Sequence, residues 1–178
     1  MAPILGIWAS AAQPPQYAGS FESIATVTVG SGGAADVTFS SIPGTYTHLQ
    51  VRGIFKGDSG TNSRVRFNGD TGSNYASHFL NGNGSSASAA GFSSLAQFYT
   101  PDNDTTYFSA WVLDVLDYAN TNKYKTMRLL GGFDANGSGV ITLNSGLWQS
   151  TSAITSLKIY LNSGNISQYS HFALYGIK

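Results

Sequence analysis

The pattern of apolar and polar side chains predicts a long β-hairpin over residues 107–133 as the centre of the fold. On one face of its first arm lie Trp111, Leu113 and Val115. The opposite face carries Val112 and its alternate neighbours, and is also apolar. A strand that is apolar on both faces is usually covered on both faces. We therefore expect this arm near the middle of a sheet, beneath further protein, with Trp111, Leu113 and Val115 in the core.

The rest of the hairpin follows from turn chemistry. Residues 117–122 are rich in Asn and Asp, which tolerate left-handed backbone and cap their own chain. Residues 124–133 then return as the antiparallel second arm. The β-branched and aromatic content of both arms, with no polar stripe at helical spacing, argues against a helix.

Shorter segments of alternating polarity recur along the chain at the regular spacing that marks a sandwich or a barrel. They cover residues 21–29, 36–40, 48–55, 64–68, 95–99, 140–148, 154–161 and 171–177. Together with the hairpin they give about ten strands. The expected fold is therefore all-β, an antiparallel two-sheet sandwich of jelly-roll type, which buries two apolar faces against each other. Residues 81–91 are poor in large side chains, and we expect an exposed loop there.

The N-terminal segment does not fit this pattern, and it divides the chain into an arm with a proline-containing spacer (residues 1–19) and the sandwich domain (residues 20–178). The arm carries a short apolar run. Its large side chains, the candidate partner-binding residues, are Ile4, Leu5, Ile7 and Trp8. Two interpretations remain open: the run packs on the molecule's own core, or it docks on a neighbouring subunit while the prolines hold the spacer extended.

The composition narrows the classes of partner. Nine basic and nine acidic residues balance, and charged residues make up only 10% of the chain. Such a surface produces little field to attract polyanions, so we expect no nucleic-acid partner. No apolar run is long enough to span a membrane as a helix. The chain has no cysteine, which excludes disulfides and thiolate zinc sites.

The motifs for catalysis and metal binding are weak. Residues 57–60, Gly-Asp-Ser-Gly, match the loop around a protease serine, but the histidine and aspartate partners are missing, so a turn is expected. The three histidines are isolated in sequence. Asp102 with Asp104, or Asn68 with Asp70, could offer oxygen ligands to calcium, yet these residues are better interpreted as turn caps. We expect no enzyme activity, no cofactor and no metal site.

Six blocks of the sequence carry a resemblance to a known family. They are ILGIWAS, FESIATVTVGSGGAADVTFSSIPGTYTHLQVRGI, FNGDTGSNY, LDYANTNKYKT, GLWQSTSAITSLKIY and the final FALYGIK. In this order, and over most of the chain, they resemble a family of small virion structural proteins of tailed bacteriophages. The resemblance implies a β-rich, non-enzymatic part of the particle, and it carries over no catalytic or binding residue.

Two functions follow as expectations. The first is a capsid decoration (cement) or head-fibre accessory protein, a homo-oligomer and by expectation a homotrimer, that contacts other capsid or tail proteins. The alternative is a tail or fibre module that binds a host-surface glycan. In either case we expect the protein to be located in the virion after assembly in the host cytoplasm. A single domain of this size favours the first function, because a receptor-binding fibre normally needs a further attachment domain.

Overall fold

The computed structural model describes residues 19–178, which form twelve β-strands and no helix. The strands are β1 (Phe21–Thr28), β2 (Asp36–Phe39), β3 (His48–Phe55), β4 (Asn62–Phe67), β5 (Tyr75–Gly82), β6 (Ala87–Leu95), β7 (Phe98–Asp102), β8 (Ser109–Leu116), β9 (Lys125–Asp134), β10 (Gly139–Trp148), β11 (Leu157–Leu161) and β12 (His171–Ile177). The predicted arm lies outside the described residues, apart from Gly19.

The strands form two antiparallel sheets of unequal size. The larger has eight strands in the order β1-β12-β3-β8-β9-β10-β5-β6, and the smaller has four in the order β2-β11-β4-β7. From β1 to β4 the chain alternates between the two sheets at every step. β7 pairs with β4 in the smaller sheet, and β7, β8, β11 and β12 then alternate in the same way. These eight strands have the connectivity of a jelly roll, in which two apolar faces close on each other. The expected fold class is therefore confirmed.

Two inserted hairpins bring the eight strands of the jelly roll to twelve, and only β5 and β6 are additional to the ten strands expected from the sequence. β5 and β6 form one hairpin, and β9 and β10 extend the hairpin that begins with β8. Both insertions join the larger sheet beyond β8, where β10 pairs with β5. The larger sheet therefore extends past the edge of the smaller one, which ends at β7.

The core lies between the inner faces of the two sheets and has the predicted composition. Leu113 and Val115 have no exposed surface, and Trp111 retains 2% of its surface. The indole of Trp111 meets the ring of Phe55 edge-on, with centroids 6.1 Å apart, and lies 5.9 Å from the ring of Phe172. The placement of the hairpin near the middle of a sheet is confirmed, because β8 and β9 are its fourth and fifth strands. The expected cover on its second face is not found among residues 19–178, where Val112 is 37% exposed and Leu130 53%.

Three predicted boundaries are wrong. Residues 81–91 are not an exposed loop, since only residues 83–86 turn between β5 and β6. Small side chains bury little surface, but the backbone of β6 is paired along β5, and this pairing holds an edge strand that needs few large side chains. The expected strand over residues 95–99 is divided, because Leu95 ends β6 and Phe98 begins β7 in the other sheet. The segment expected at 154–161 becomes a strand only at Leu157.

Asn68 ties the end of β4 to the loop before β11. Its backbone is left-handed, with φ of 49°. Its side-chain oxygen accepts hydrogen bonds from the amides of Thr155 at 2.9 Å and Ser156 at 3.0 Å, and its amide donates to the carbonyl of Ala153 at 2.8 Å. One side chain therefore satisfies three backbone groups of a loop, as the prediction of a capping residue implies.

Asp70 closes the neighbouring turn. Its carboxylate accepts hydrogen bonds from the indole of Trp148 at 2.7 Å, the side chain of Asn74 at 2.9 Å and the amide of Gly72 at 2.8 Å. Burial alone would raise the pKa of Asp70, but these hydrogen bonds outweigh it and hold the pKa below its usual value. Asp70 is thus a structural residue, because its carboxylate accepts hydrogen bonds from groups of the same chain.

Candidate docking face on the larger sheet

The outer face of the larger sheet carries a continuous group of exposed aliphatic side chains, which we call the apolar strip. Each retains between 37% and 61% of its surface. The members are Ile54, Leu80, Val112, Leu130, Ile141 and Leu143. Single exposed aliphatic residues are common on any protein, whereas a contiguous group marks a candidate contact surface.

The strand register makes the strip continuous. Val112 pairs with Leu130, Leu130 with Leu143, and Leu143 with Leu80. These four residues form a row across β8, β9, β10 and β5. Directly paired residues have Cβ atoms about 4.5–5.5 Å apart, so their side chains touch. Ile54 and Ile141 lie in the next row, which passes through Ala110 and Gly132, two residues from Val112 and Leu130 on their strands.

Small residues make that second row a groove. Ile54 pairs with Ala110, Ala110 with Gly132, and Gly132 with Ile141. The resulting groove has a volume of about 950 Å³ and extends to Phe108 and the turns that follow β5 and β9. A Cβ atom added at Gly132 would clash with the carbonyl oxygen of Val140. A larger residue at Gly132 would therefore displace β10, and this keeps the floor of the groove low at that position.

A polar row borders the strip on its other side. The side chain of Gln50 donates to Asp114 at 2.8 Å and accepts from Arg52 at 2.7 Å. The guanidinium of Arg52 lies over the rings of Tyr175 and Phe21, at 4.9 and 5.3 Å. Apolar surface beside satisfied polar groups is the arrangement of a protein interface, with an apolar centre and a polar rim.

The candidate partner-binding residues Ile4, Leu5, Ile7 and Trp8 lie outside the described residues. Ser59 of the Gly-Asp-Ser-Gly segment donates its hydroxyl to the carbonyl of Ser163 at 2.6 Å. This is the contact of a turn residue. Among residues 19–178 no group of three or more His, Cys, Asp or Glu side chains is placed to hold a metal ion.

Each histidine of the described chain has a separate position. His48 accepts a hydrogen bond from the amide of Asp117 at 3.0 Å, at one end of the larger sheet. His171 is bonded to the hydroxyl of Thr28 at 3.0 Å, near the other end. His78 is exposed on β5. The structure therefore does not bring the three histidines together.

Comparison with models of protein families, with curated proteins and with solved structures finds no match for this chain. The site is therefore interpreted from its own chemistry. Among residues 19–178 there is no helix with the length and apolar character needed to cross a membrane.

The sequence pattern indicated only part of the apolar strip. The two-sided apolar character of β8 pointed to further protein above Val112. Leu130 was predicted only as part of the return arm, with no face assigned, and Ile54, Leu80, Ile141 and Leu143 were missed. Leu143 and Ile141 alternate with Thr142 and Asn144, which is the signal of one apolar face, but their side could not be assigned before the register with β9 was known.

Proposed function

We propose that this chain is a non-enzymatic structural protein of a tailed-phage virion, of the capsid-decoration or head-fibre accessory type, that works as a homo-oligomer. The observation that carries the proposal is the apolar strip, an uncovered aliphatic surface on an otherwise well-packed jelly roll. The resemblance of the sequence blocks to virion structural proteins supports it, as does a low content of charged residues, which leaves copies of the chain free to pack.

The size of the strip favours a narrow occupant. It runs from β3 to β5, four strand spacings or about 19 Å, and it is two rows wide. A standard interface between globular subunits buries about 800 Å² on each partner, several times the area of such a strip. An extended segment of five or six residues spans about 17–20 Å and matches its length. The apolar run at residues 4–8 has this length.

The direction of β1 indicates that the segment on the apolar strip is residues 4–8 of a neighbouring copy rather than of the same chain. β1 begins at Phe21, opposite Ile177, and ends at Thr28, opposite His171. His171 in turn pairs with Ile54, so the groove lies at the Thr28 end of the sheet. A chain that continues β1 backwards from Phe21 leads away from the groove. To reach its own groove it would have to reverse direction and cross the polar row.

The side chains of the run agree with this placement. In an extended segment Ile4 and Trp8 point to one side, and Leu5 and Ile7 point to the other. A segment lying on one isolated sheet would leave one of these sides in water, whereas a segment held between two subunits has both sides covered. The spacer back from Phe21 to Trp8 reaches about 43 Å when extended, enough to cross to a neighbour.

A disulfide experiment tests the contact directly, because the chain has no cysteine of its own. In the double variant Ile7→Cys with Leu130→Cys we expect disulfide-linked oligomers on a non-reducing gel after mild oxidation. Ile7→Cys with Thr126→Cys is the matched control, since Thr126 is exposed on the same face of β9 but lies beyond the strip. A disulfide that forms within single chains would refute exchange between subunits, and equal yields in both variants would refute the strip as the docking site.

The oligomer is tested by a second variant. Leu130→Lys places a charge at the centre of the strip without touching the core, because Leu130 is 53% exposed. We expect the melting temperature to change little while native mass spectrometry shows loss of the oligomer, expected as a trimer, of 18.8 kDa chains. An oligomer that survives this charge would show that the copies associate elsewhere.

Location in the particle needs its own measurement. Tailed particles produced by cells that carry the gene are purified by density gradient, and their proteins are quantified by mass spectrometry. We expect this chain in the particle fraction at a copy number that is a multiple of the oligomer. Immunogold labelling then separates capsid from tail. A chain found only in the soluble host fraction would contradict the proposed function.

A further inference from the structure

We propose that a small cleft under the overhanging edge of the larger sheet binds one sugar residue of a neutral glycan. The cleft has a volume of about 220 Å³ and lies between β10, β5 and β6 of the larger sheet and the edge strand β7 of the smaller one. The inserted hairpins create it, because they extend the larger sheet past β7. It is separate from the apolar strip, which lies on the opposite face of the same strands.

Unpartnered acceptors point to a ligand with hydrogen-bond donors. Asn144 is 98% buried, yet its side-chain oxygen has no hydrogen-bond partner among the described residues, while its amide donates to the carbonyl of Tyr99 at 3.0 Å. The side-chain oxygen of Asn81 is also buried without a partner in this part of the chain. Leaving a buried acceptor unpaired costs about 1–3 kcal/mol, so two beside one cleft call for a donor that enters it.

The two acceptors have a spacing that one ring can bridge. Asn144 pairs with Phe79, and Asn81 lies two residues further along β5, on the same face. Such diagonal neighbours are about 7–8 Å apart at the backbone, with their side chains somewhat closer. A hexose carries hydroxyl donors on opposite sides of its ring, a separation that suits two acceptors on neighbouring strands in this register.

Aromatic rings supply the second half of a sugar site. Phe92 lies 5.9 Å from Phe79 and 5.6 Å from Tyr99, measured between ring centroids, and Phe92 retains 40% of its surface at the open side of the cleft. The C–H face of a sugar packs on such a ring while its hydroxyls meet the amides, which is the mixed lining expected of a small-molecule site.

Other ligand classes fit the cleft less well. The carboxylate of Asp102 and the amide oxygens disfavour an anion. A calcium ion takes six to eight oxygen ligands, and the lining includes a single carboxylate beside aromatic walls. A neutral polyhydroxyl ring uses both the acceptors and the walls. The small volume limits the site to one residue of a glycan, with affinity for a free monosaccharide in the millimolar range.

The test is a titration of ¹⁵N-labelled protein with glucose, galactose, mannose or N-acetylglucosamine, each added alone and followed by amide shifts. We expect at least one sugar to shift the amides of β5, β7 and β10. Phe92→Ala should weaken that binding by about tenfold or more, because the stacking face is lost. Tyr169→Ala is the control, since it removes an exposed ring outside the cleft and should leave binding unchanged.

A second variant separates a binding role from a structural one. Asn81→Leu removes an unpaired acceptor, so we expect an equal or higher melting temperature together with loss of sugar binding. A clear fall in melting temperature would show that Asn81 serves the fold and would refute its assignment. Absence of shifts with all four sugars, or shifts with calcium chloride alone, would overturn the proposal and leave a water-filled or cation-binding cleft. Each result is obtained on the isolated protein, whether or not the chain belongs to a virion.

Discussion

Trp111 and Val112 are adjacent in β8 but lie on opposite faces of the larger sheet, and their replacement by alanine should separate core from docking face. Trp111 is 2% exposed and touches Phe55 and Phe172, whereas Val112 is 37% exposed and lies in the apolar strip. Truncation of a buried tryptophan costs about 3–5 kcal/mol. Because Val112 is already partly in water, Val112→Ala should cost the isolated chain less than about 1 kcal/mol.

The surroundings of Trp111 place its cost in the upper part of that range. A Cβ atom added at Gly53 would lie 3.4 Å from the indole, and one added at Gly131 would clash with the Trp111 side chain. Backbone on both flanking strands is therefore packed against this residue and cannot easily move in to fill a cavity. Trp111→Phe should cost less than the alanine variant, since it keeps a ring and removes an indole N–H that has no acceptor among the described residues.

Urea denaturation of the three variants measures these differences. A loss of 3–5 kcal/mol corresponds to about 6–20 °C in melting temperature for a chain of this size, so thermal melts provide a second reading. The measurements belong at low protein concentration, where contact between copies does not add to stability. Equal costs for Trp111→Ala and Val112→Ala, or full stability of Trp111→Ala, would refute the assignment of the two faces.

Three further changes test the loops and the packing between sheets. Folding lowers the pKa of Asp70, so its stabilising contribution is present above its unfolded pKa and is lost as the pH falls through its folded pKa. Asp70→Asn should therefore make the free energy of unfolding less dependent on pH in acid. Urea denaturation from neutral to acid pH measures this dependence. Asn68→Ala loses three hydrogen bonds and retains a strained backbone, so its melting temperature should fall below that of wild type, and Asn68→Gly should recover only the backbone part. Gly146→Ala should lower the melting temperature by forcing a methyl group against the buried ring of Phe98, and an unchanged melt would show that β7 adjusts without cost.

The strands that the sequence predicted well are those with one clear apolar face. Residues 48–55 and 171–177 were predicted with the bounds that the structure has. In the first, Leu49 and Val51 are fully buried and alternate with polar neighbours, whereas the second is a short and mostly apolar run. Residues 87–95 were missed for the opposite reason. Their side chains are small and mostly exposed, and only the backbone partner β5 makes them a strand.

The candidate site was less accessible to sequence reasoning because it depends on pairing between distant strands. Val112 could be marked as apolar on a central strand, but its neighbours Leu130 and Leu143 meet it only through the register of β8, β9 and β10. The cleft was missed entirely. Asn81 and Asn144 are ordinary polar residues in the sequence, and they become notable only because both side-chain oxygens are buried with no hydrogen-bond partner among residues 19–178.

The position of β12 has a consequence for synthesis of the protein. β12 lies between β1 and β3, so these two strands lack the strand that joins them in the sheet until residues 171–177 leave the ribosome. At 5–20 residues per second, roughly 8 to 30 s separate the appearance of Phe21 from that of His171. During that interval β1 and β3 expose unpaired backbone on facing edges, which other nascent chains could also pair with. Folding of this jelly roll therefore requires β12 to insert between two strands that were synthesised much earlier, and slow or interrupted translation just before β12 should favour aggregation.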